Sequence, residues 1–314
     1  MRQRIAITGA TGFVGRNVIP ALQSAGHDVV PLNRAANGPG SRAYDFSMPV
    51  PELRTALKGC TSVLHLAARV HVLAEANDKS TIEACLAANC AATARLAEAA
   101  SAEGIGQFIY LSTAKVYGEK SHDVPFVVGR PEAPQGPYAI SKWRAEQTLQ
   151  DLAGRAEFAL SIIRPPLIHG PGVKANLQAL ARIAHSPIPL PFGAIQNRRS
   201  LLGTTNLASL LKALLLRSDK TPLTLNASDG EDVSTTKLVQ LLAEAQGQRA
   251  KLLPVPQILL RAILSAVGRA DFAGRLLDDF QIDIAATTRA LDWRPSVSLS
   301  ESLKEAFSAD GAGR

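Results

Sequence analysis

The first third of the chain alternates short β-branched runs with longer helical patterns. Arg4-Ile-Ala-Ile-Thr8 reads as a buried strand, and the apolar spacing after it predicts a helix over 14–25. The pattern continues with strand over 28–32, helix over 52–58 and strand over 61–66. An alanine-rich helix over 80–102 and a strand over 107–111 follow, then a helix over 137–152 and a strand over 159–163. Strand, helix, strand in repetition predicts an α/β chain, a Rossmann-type doubly wound parallel sheet with helices on both faces.

Beyond Arg164-Pro165-Pro166 the regularity weakens. The stretch 170–199 is dense in proline and glycine, and Ser186-Pro-Ile-Pro-Leu-Pro191 argues against a central strand there. Helices expected over 204–216, 235–245, 256–267 and 300–307 point to a smaller mixed α/β domain, and the tail 309–314 is expected to fray. The 256–267 segment, with Ile258, Leu259, Leu260, Ile263, Leu264 and Val267, is apolar nearly all round. It could lie on a membrane surface or a lipid-linked substrate. Lacking a strongly charged face, it is expected to be buried in the small domain or its interface.

Composition narrows the class. Of 314 residues, 46% are hydrophobic and 19% charged, ordinary for a globular protein with a sizeable core. No apolar run nears the ~20 residues that span a bilayer, and no signal-peptide stretch opens the chain, so a cytoplasmic protein without a membrane span is expected. Cys60, Cys85 and Cys90 fit neither a disulfide framework nor a metal site; reduced core thiols are expected. Net charge is +7, yet the basic residues are dispersed and aromatics make up only 5%, so no nucleic-acid stripe is legible. A positive potential that attracts an anionic small substrate accounts for the charge more economically.

Two motifs carry chemistry. Thr8-Gly9-Ala-Thr11-Gly12-Phe13-Val14-Gly15 follows the first strand and opens the first helix. Gly9 allows the tight turn, Gly12 lets the backbone approach a pyrophosphate, and Gly15 lets helix and sheet close up, so a dinucleotide is expected at the helix N-terminus. An acidic residue ending the second strand would bond a ribose 2′-hydroxyl; instead the chain reads Leu32-Asn33-Arg34. Arg34 suits a 2′-phosphate, which favours NADP over NAD, although a solvated arginine remains open. Asp45 and Phe46, at an expected third strand, are placed to meet the adenine. Downstream, Leu111-Ser112-Thr113 ends a strand and Tyr138-Ala-Ile-Ser-Lys142 starts a helix. Four residues apart, Tyr138 and Lys142 share a face, where an ammonium can make a phenol acidic enough for acid/base work.

With these motifs the chain resembles the extended short-chain dehydrogenase/reductases of the NAD(P)-dependent nucleotide-sugar epimerase/dehydratase group. Further points of resemblance are His65-Leu66-Ala67-Ala68, Asn89, Leu111-Ser-Thr-Ala-Lys-Val-Tyr-Gly118, the 21-residue step from Tyr117 to Tyr138, and Leu291-Asp-Trp293-Arg-Pro295. The resemblance implies a dinucleotide-binding domain over 1–165, with a returning segment near 201–216, and a mainly substrate-binding part over 166–314. It implies that Thr113 bonds the reacting sugar oxygen, Tyr138 is the acid/base and Lys142 partners the ribose and phenol. Leu66, Ala67, Ala68 and Asn89 would line or brace the cofactor site. Ser112, Asn176, Leu177 and Pro191, on a strand at 189–193, would meet a UDP-sugar, with Arg199 clamping the diphosphate and Arg275 a second clamp. A homodimer built on the 80–102 and 137–152 helices is implied as well.

Two departures narrow the reaction. The sugar 4,6-dehydratases carry Asp-Glu directly after the catalytic threonine, whereas this chain has Ala114 and Lys115. Leu167 stands where many relatives have a substrate-contacting asparagine. The expectation is oxidoreduction at C4 of a UDP-sugar: a 4-keto-sugar reductase of the UDP-N-acetylquinovosamine type in surface polysaccharide biosynthesis, or a UDP-glucose/UDP-N-acetylglucosamine 4-epimerase using bound NAD. A non-catalytic NADP sensor would be expected to have lost Tyr138 or Lys142.

Overall fold

A computed structural model describes residues 2–70, 79–156 and 158–307. The expected frayed tail at 309–314 lies outside the described residues. Strands β1 (Arg4–Thr8), β2 (Asp28–Asn33), β3 (Arg42–Ala43), β4 (Ser62–His65), β5 (Gln107–Leu111), β6 (Ala159–Arg164) and β9 (Leu223–Asn226) form one sheet in the order 3-2-1-4-5-6-9, every pair parallel. β4 through β6 are buried along their whole length, as strands covered on both faces must be. The order reverses between β1 and β4, which opens the crevice where α/β sheets take ligands.

Two cores cover the faces. On one, Leu53 and Leu57 of α2 (Val50–Leu57) and Leu96 and Ala100 of α4 (Ala92–Ala102) pack on Val30, Val63, Phe108 and Leu160, together with α5 (Gly136–Ala153). On the other, Val18 and Leu22 of α1 (Phe13–Ser24) and Leu207, Leu211 and Leu214 of α7 (Thr204–Leu215) pack on Ile5, Ile7, Ile109 and Ile163. The long alanine-rich helix is not uniform. α3 (Lys79–Leu86) joins α4 through a π-helical segment, Ala87–Ala91, the kind of bulge that re-aims one side chain, here Asn89.

A three-stranded sheet, β10-β8-β7 (Asp232–Val233, Arg199–Gly203, Leu167–His169), lies within the small core with α6 (Ala175–Ala184), α8 (Thr235–Ala245), α9 (Gln257–Ala266), α10 (Ala270–Leu277) and α12 (Leu299–Phe307). α11 (Ala285–Leu291) returns to the large sheet beside β9. Residues 189–193 do not make the expected strand, as the prolines foretell; Leu190 forms an isolated bridge to Leu252. The third strand is only Arg42–Ala43, so Asp45 and Phe46 lie past its end. The 256–267 helix departs from expectation too. Leu260 alone on α9 is fully buried, while Ile258, Leu259 and Ile263 face solvent. Cys60 and Cys85 are buried thiols and Cys90 is half-buried, none of them in a disulfide.

Candidate active site

The glycine turn leaves β1 directly into α1. Gly9 has φ +68°, and a Cβ there would sit 2.8 Å from the Ala67 amide nitrogen, so only glycine lets this turn meet the strand end after β4. A Cβ on Gly15 would press into the carbonyl oxygens of Gly9 and Ala10. α1 starts at Gly12 without a side-chain cap. Its first-turn N–H groups, on Phe13, Val14 and Gly15, lack intrahelical acceptors and suit a phosphate. Thr11 and Gly12 are exposed beside this opening. The residues present therefore fit a dinucleotide.

The strand ends around the turn are fastened by hydrogen bonds. Thr8 Oγ1 lies 2.6 Å from His65 Nδ1 and accepts the Ala67 N–H at 3.2 Å. His65 Nε2 meets Thr93 Oγ1 at 2.8 Å. Burial, reinforced by the Lys142 cation, pushes His65 down to about 3, so it is a neutral strut. Asn89 accepts the Arg69 N–H at 2.7 Å and donates to Ser141 Oγ at 2.9 Å, while Ser141 donates to the Tyr138 carbonyl. Asn89 thus braces the segment after β4 against the first turn of α5. Leu66, Ala67 and Ala68 are half-buried in that segment.

Arg34 is exposed just past β2. Asp45, also exposed, accepts the Ser47 N–H and hydroxyl, both at 2.6 Å; these bonds, with a smaller contribution from Arg34, hold its carboxyl below the usual range. Phe46 packs against the adjoining core, and its carbonyl accepts from Arg95.

At the end of β5, Ser112 and Thr113 are buried. Thr113 Oγ1 caps the short 3-10 turn Ala114–Tyr117 by accepting the Lys115 N–H at 3.3 Å. Ser112 Oγ is buried with no hydrogen-bond partner among the described residues, a polar group of the kind found where a ligand completes the bonding. Tyr138 is half-buried on the first turn of α5, and desolvation pushes its phenol up to about 12. Lys142, fully buried, donates to the Leu111 carbonyl at 2.5 Å and sits 4.0 Å from the Tyr110 ring centroid. Burial brings it down to about 7, opposed by Glu146 one turn further on. Its ammonium is therefore spent on the β5 carbonyl rather than on the Tyr138 phenol in the free protein.

Sequence reasoning missed the charge cluster behind this pair. Arg164, at the end of β6, bonds Glu146 at 2.5 Å and Glu132 at 2.7 Å and lies over the Tyr117 ring, while Tyr117 donates to Asn226 at 2.9 Å. The signal was available: Tyr138, Lys142 and Glu146 recur every four residues on one helix face. Glu146 keeps an anion near the buried ammonium, and Arg164 neutralises it in turn.

On the substrate side the expected residues differ in exposure. Asn176 is exposed, and Leu177 points into the small core. Pro191 is half-buried and Arg275 exposed. Arg199 is half-buried and donates to the Asp278 carbonyl at 2.9 Å; burial lowers its pKa, and Asp278, Asp279 and Glu119 oppose that. Lys115 pairs with Glu119 at 2.7 Å.

A model of the NAD dependent epimerase/dehydratase family matches residues 5–227. A UDP-glucose 4-epimerase of Vibrio cholerae is 36% identical over 98% of this chain and 96% of its own. A GDP-6-deoxy-D-mannose reductase of Pseudomonas aeruginosa is 27% identical over 98% and 97%. Among solved structures, a UDP-N-acetylglucosamine 4-epimerase from Bacillus cereus superposes with a TM-score of 0.78 at 20% identity, covering 96% of this chain and 97% of that one.

Proposed function

The chain belongs to the NAD-dependent epimerase/dehydratase family, and from that premise we propose that it reduces the C4 ketone of a UDP-sugar, of the UDP-N-acetylquinovosamine type, in surface polysaccharide biosynthesis. The dinucleotide would be held by Gly9, Thr11, Gly12 and the first turn of α1, with Leu66, Ala67 and Ala68 along it. Arg34 would take the 2′-phosphate, Asp45 and Phe46 the adenine, and Lys142 the ribose. Bound there, the cofactor supplies the hydride.

The chain's own groups supply the rest. Thr113 donates its hydroxyl hydrogen to the C4 oxygen, since a ketone oxygen can only accept, while the Thr113 oxygen accepts the Lys115 N–H. Tyr138 gives that oxygen its proton. A phenol held protonated at neutral pH is the donor that a ketone reduction consumes. Ser112, Asn176, Leu177, Pro191, Arg199 and Arg275 are the proposed contacts of the UDP-sugar, with Leu177 reaching it only through its backbone. Two copies would pair through the α3–α4 and α5 helices.

The observation that carries reduction over epimerisation is the end of β2, where Asn33-Arg34 replaces the carboxylate that recognises an unphosphorylated ribose. The Vibrio cholerae relative favours the second reading, a UDP-sugar 4-epimerase with resident NAD. Titration separates them. NADPH is expected to bind more tightly than NADH, with Arg34→Ala narrowing the gap. Equal affinities, or NAD retained through purification, would replace the reductase with the epimerase.

A further inference from the structure

Several exposed large apolar side chains gather on one helix, among them Ile258, the most exposed of those described. At 100° per residue, Ile258, Leu259, Ala262, Ile263 and Ala266 fall on one arc of α9, and Leu260 and Leu264 fall on the opposite arc against the small core. Ile258 is 85% exposed, and Val267 at the helix end is 63% exposed. Phe272 of α10, the helix packed beside α9, and Leu253, before α9, are exposed as well. No charged residue interrupts the outward arc.

The chain on either side of α9 is basic. Arg249 and Lys251 precede α9, and Arg269 and Arg275 follow it; all four are exposed, and none has an ion pair among the described residues. Arg261, on the flank, is paired with Asp278. With Asp278, the partner of Arg261, included, five basic and two acidic residues fall between 249 and 278, an excess of +3 in a chain whose whole net charge is +7. Three of the seven net charges thus sit in under a tenth of the length.

We propose that the outward face of α9, with Leu253 and Phe272, docks the protein peripherally on an anionic lipid bilayer. Aliphatic side chains on a convex helix enter the acyl boundary, and Arg249, Lys251 and Arg269 meet lipid phosphates, Arg275 being kept for the UDP-sugar. A second copy fits less well, because a symmetric contact would bring the two basic rims together. No described helix is long and apolar enough to cross a membrane, so attachment would be reversible and salt-sensitive.

The test is co-sedimentation of the full-length protein with sucrose-loaded vesicles. Phosphatidylcholine vesicles containing phosphatidylglycerol are expected to pellet it at low salt, pure phosphatidylcholine much less, and added salt should release it. The Ile258→Glu/Ile263→Glu protein should partition about tenfold less or worse. Both positions face solvent, so its circular dichroism and melting point should match the wild type. Three outcomes overturn the proposal: protein that stays in the supernatant with anionic vesicles at low salt, a folded double variant that pellets equally, or a light-scattering mass that halves in the variant while the wild type ignores vesicles. The last would assign the face to a second copy of the chain.

Discussion

The proposed chemistry rests on a few side chains whose burial sets their charge. Tyr138 is held protonated by desolvation, and no described residue hydrogen-bonds its hydroxyl. Tyr138→Phe should therefore lower turnover of a 4-keto UDP-sugar by about 100- to 10,000-fold while leaving dinucleotide affinity nearly unchanged; wild-type turnover would remove Tyr138 from the mechanism. Lys142 carries a cost in stability as well as a role. Its pKa is about 7 in the fold against an ordinary 10.5, so between those values the unfolded chain binds more protons and stability rises with pH. Below about 7 both states are charged and the full penalty of burying the ammonium applies, on the order of a few kcal/mol; above 10.5 it is gone. Lys142→Met should therefore gain most in melting temperature, relative to wild type, near pH 6, with the gain shrinking towards pH 10. The lost bond to the Leu111 carbonyl is a pH-independent offset, so the slope in a pH series of thermal melts is the readout. A flat difference would show that Lys142 is not depressed.

At the scale of elements, strands β1, β2, β4, β5 and β6 and helices α1, α2, α5, α7 and α8 were legible because each is a continuous apolar or 3.6-periodic run between turn residues. β3, β7 and β10 were not: two or three residues are too few to show a period. α6 was hidden by the prolines and glycines on both sides of it. The π-helical segment at Ala87–Ala91 was invisible for another reason, since an inserted residue within an alanine-rich run changes no pattern. The lack of a charged face predicts a buried α9, but the same pattern also suits a helix with one apolar face on protein and the other in solvent. In the site, the glycine turn and the Tyr138–Lys142 pair stood out as local spacings. The Arg164–Glu146–Glu132 cluster joins positions 18 and 32 residues apart, and only the parallel pairing of β5 with β6 beneath α5 unites them.

At the scale of the molecule, the two cores are not strung together by one linker. After β7 and α6 build the small core, α7 and β9 return to the large sheet, α8 to α10 go back, α11 and Trp293 return again, and α12 closes on the small core. Trp293 is buried against α7 and donates to Ser209 at 2.8 Å. The crossings are fastened by buried polar bonds: Asp229 bonds His169 at 3.1 Å and accepts from Gly203 and Asn206, while Asn206 accepts from the Ser296 and Val297 amides. Phe13, from the glycine turn, packs on the small core as well. The core between the large sheet and α1 is completed only by α7, β9 and Trp293, from beyond residue 165, so unfolding should be one cooperative event despite the length. Scanning calorimetry should show a single transition, and residues 166–314 expressed alone should lack a cooperative melt, because Leu207, Leu211, Leu225 and Trp293 would then expose the faces they bury against β1, β5 and β6. Two resolved transitions, or a folded 166–314 fragment, would show that the small core stands by itself and that the repeated crossings only route the chain.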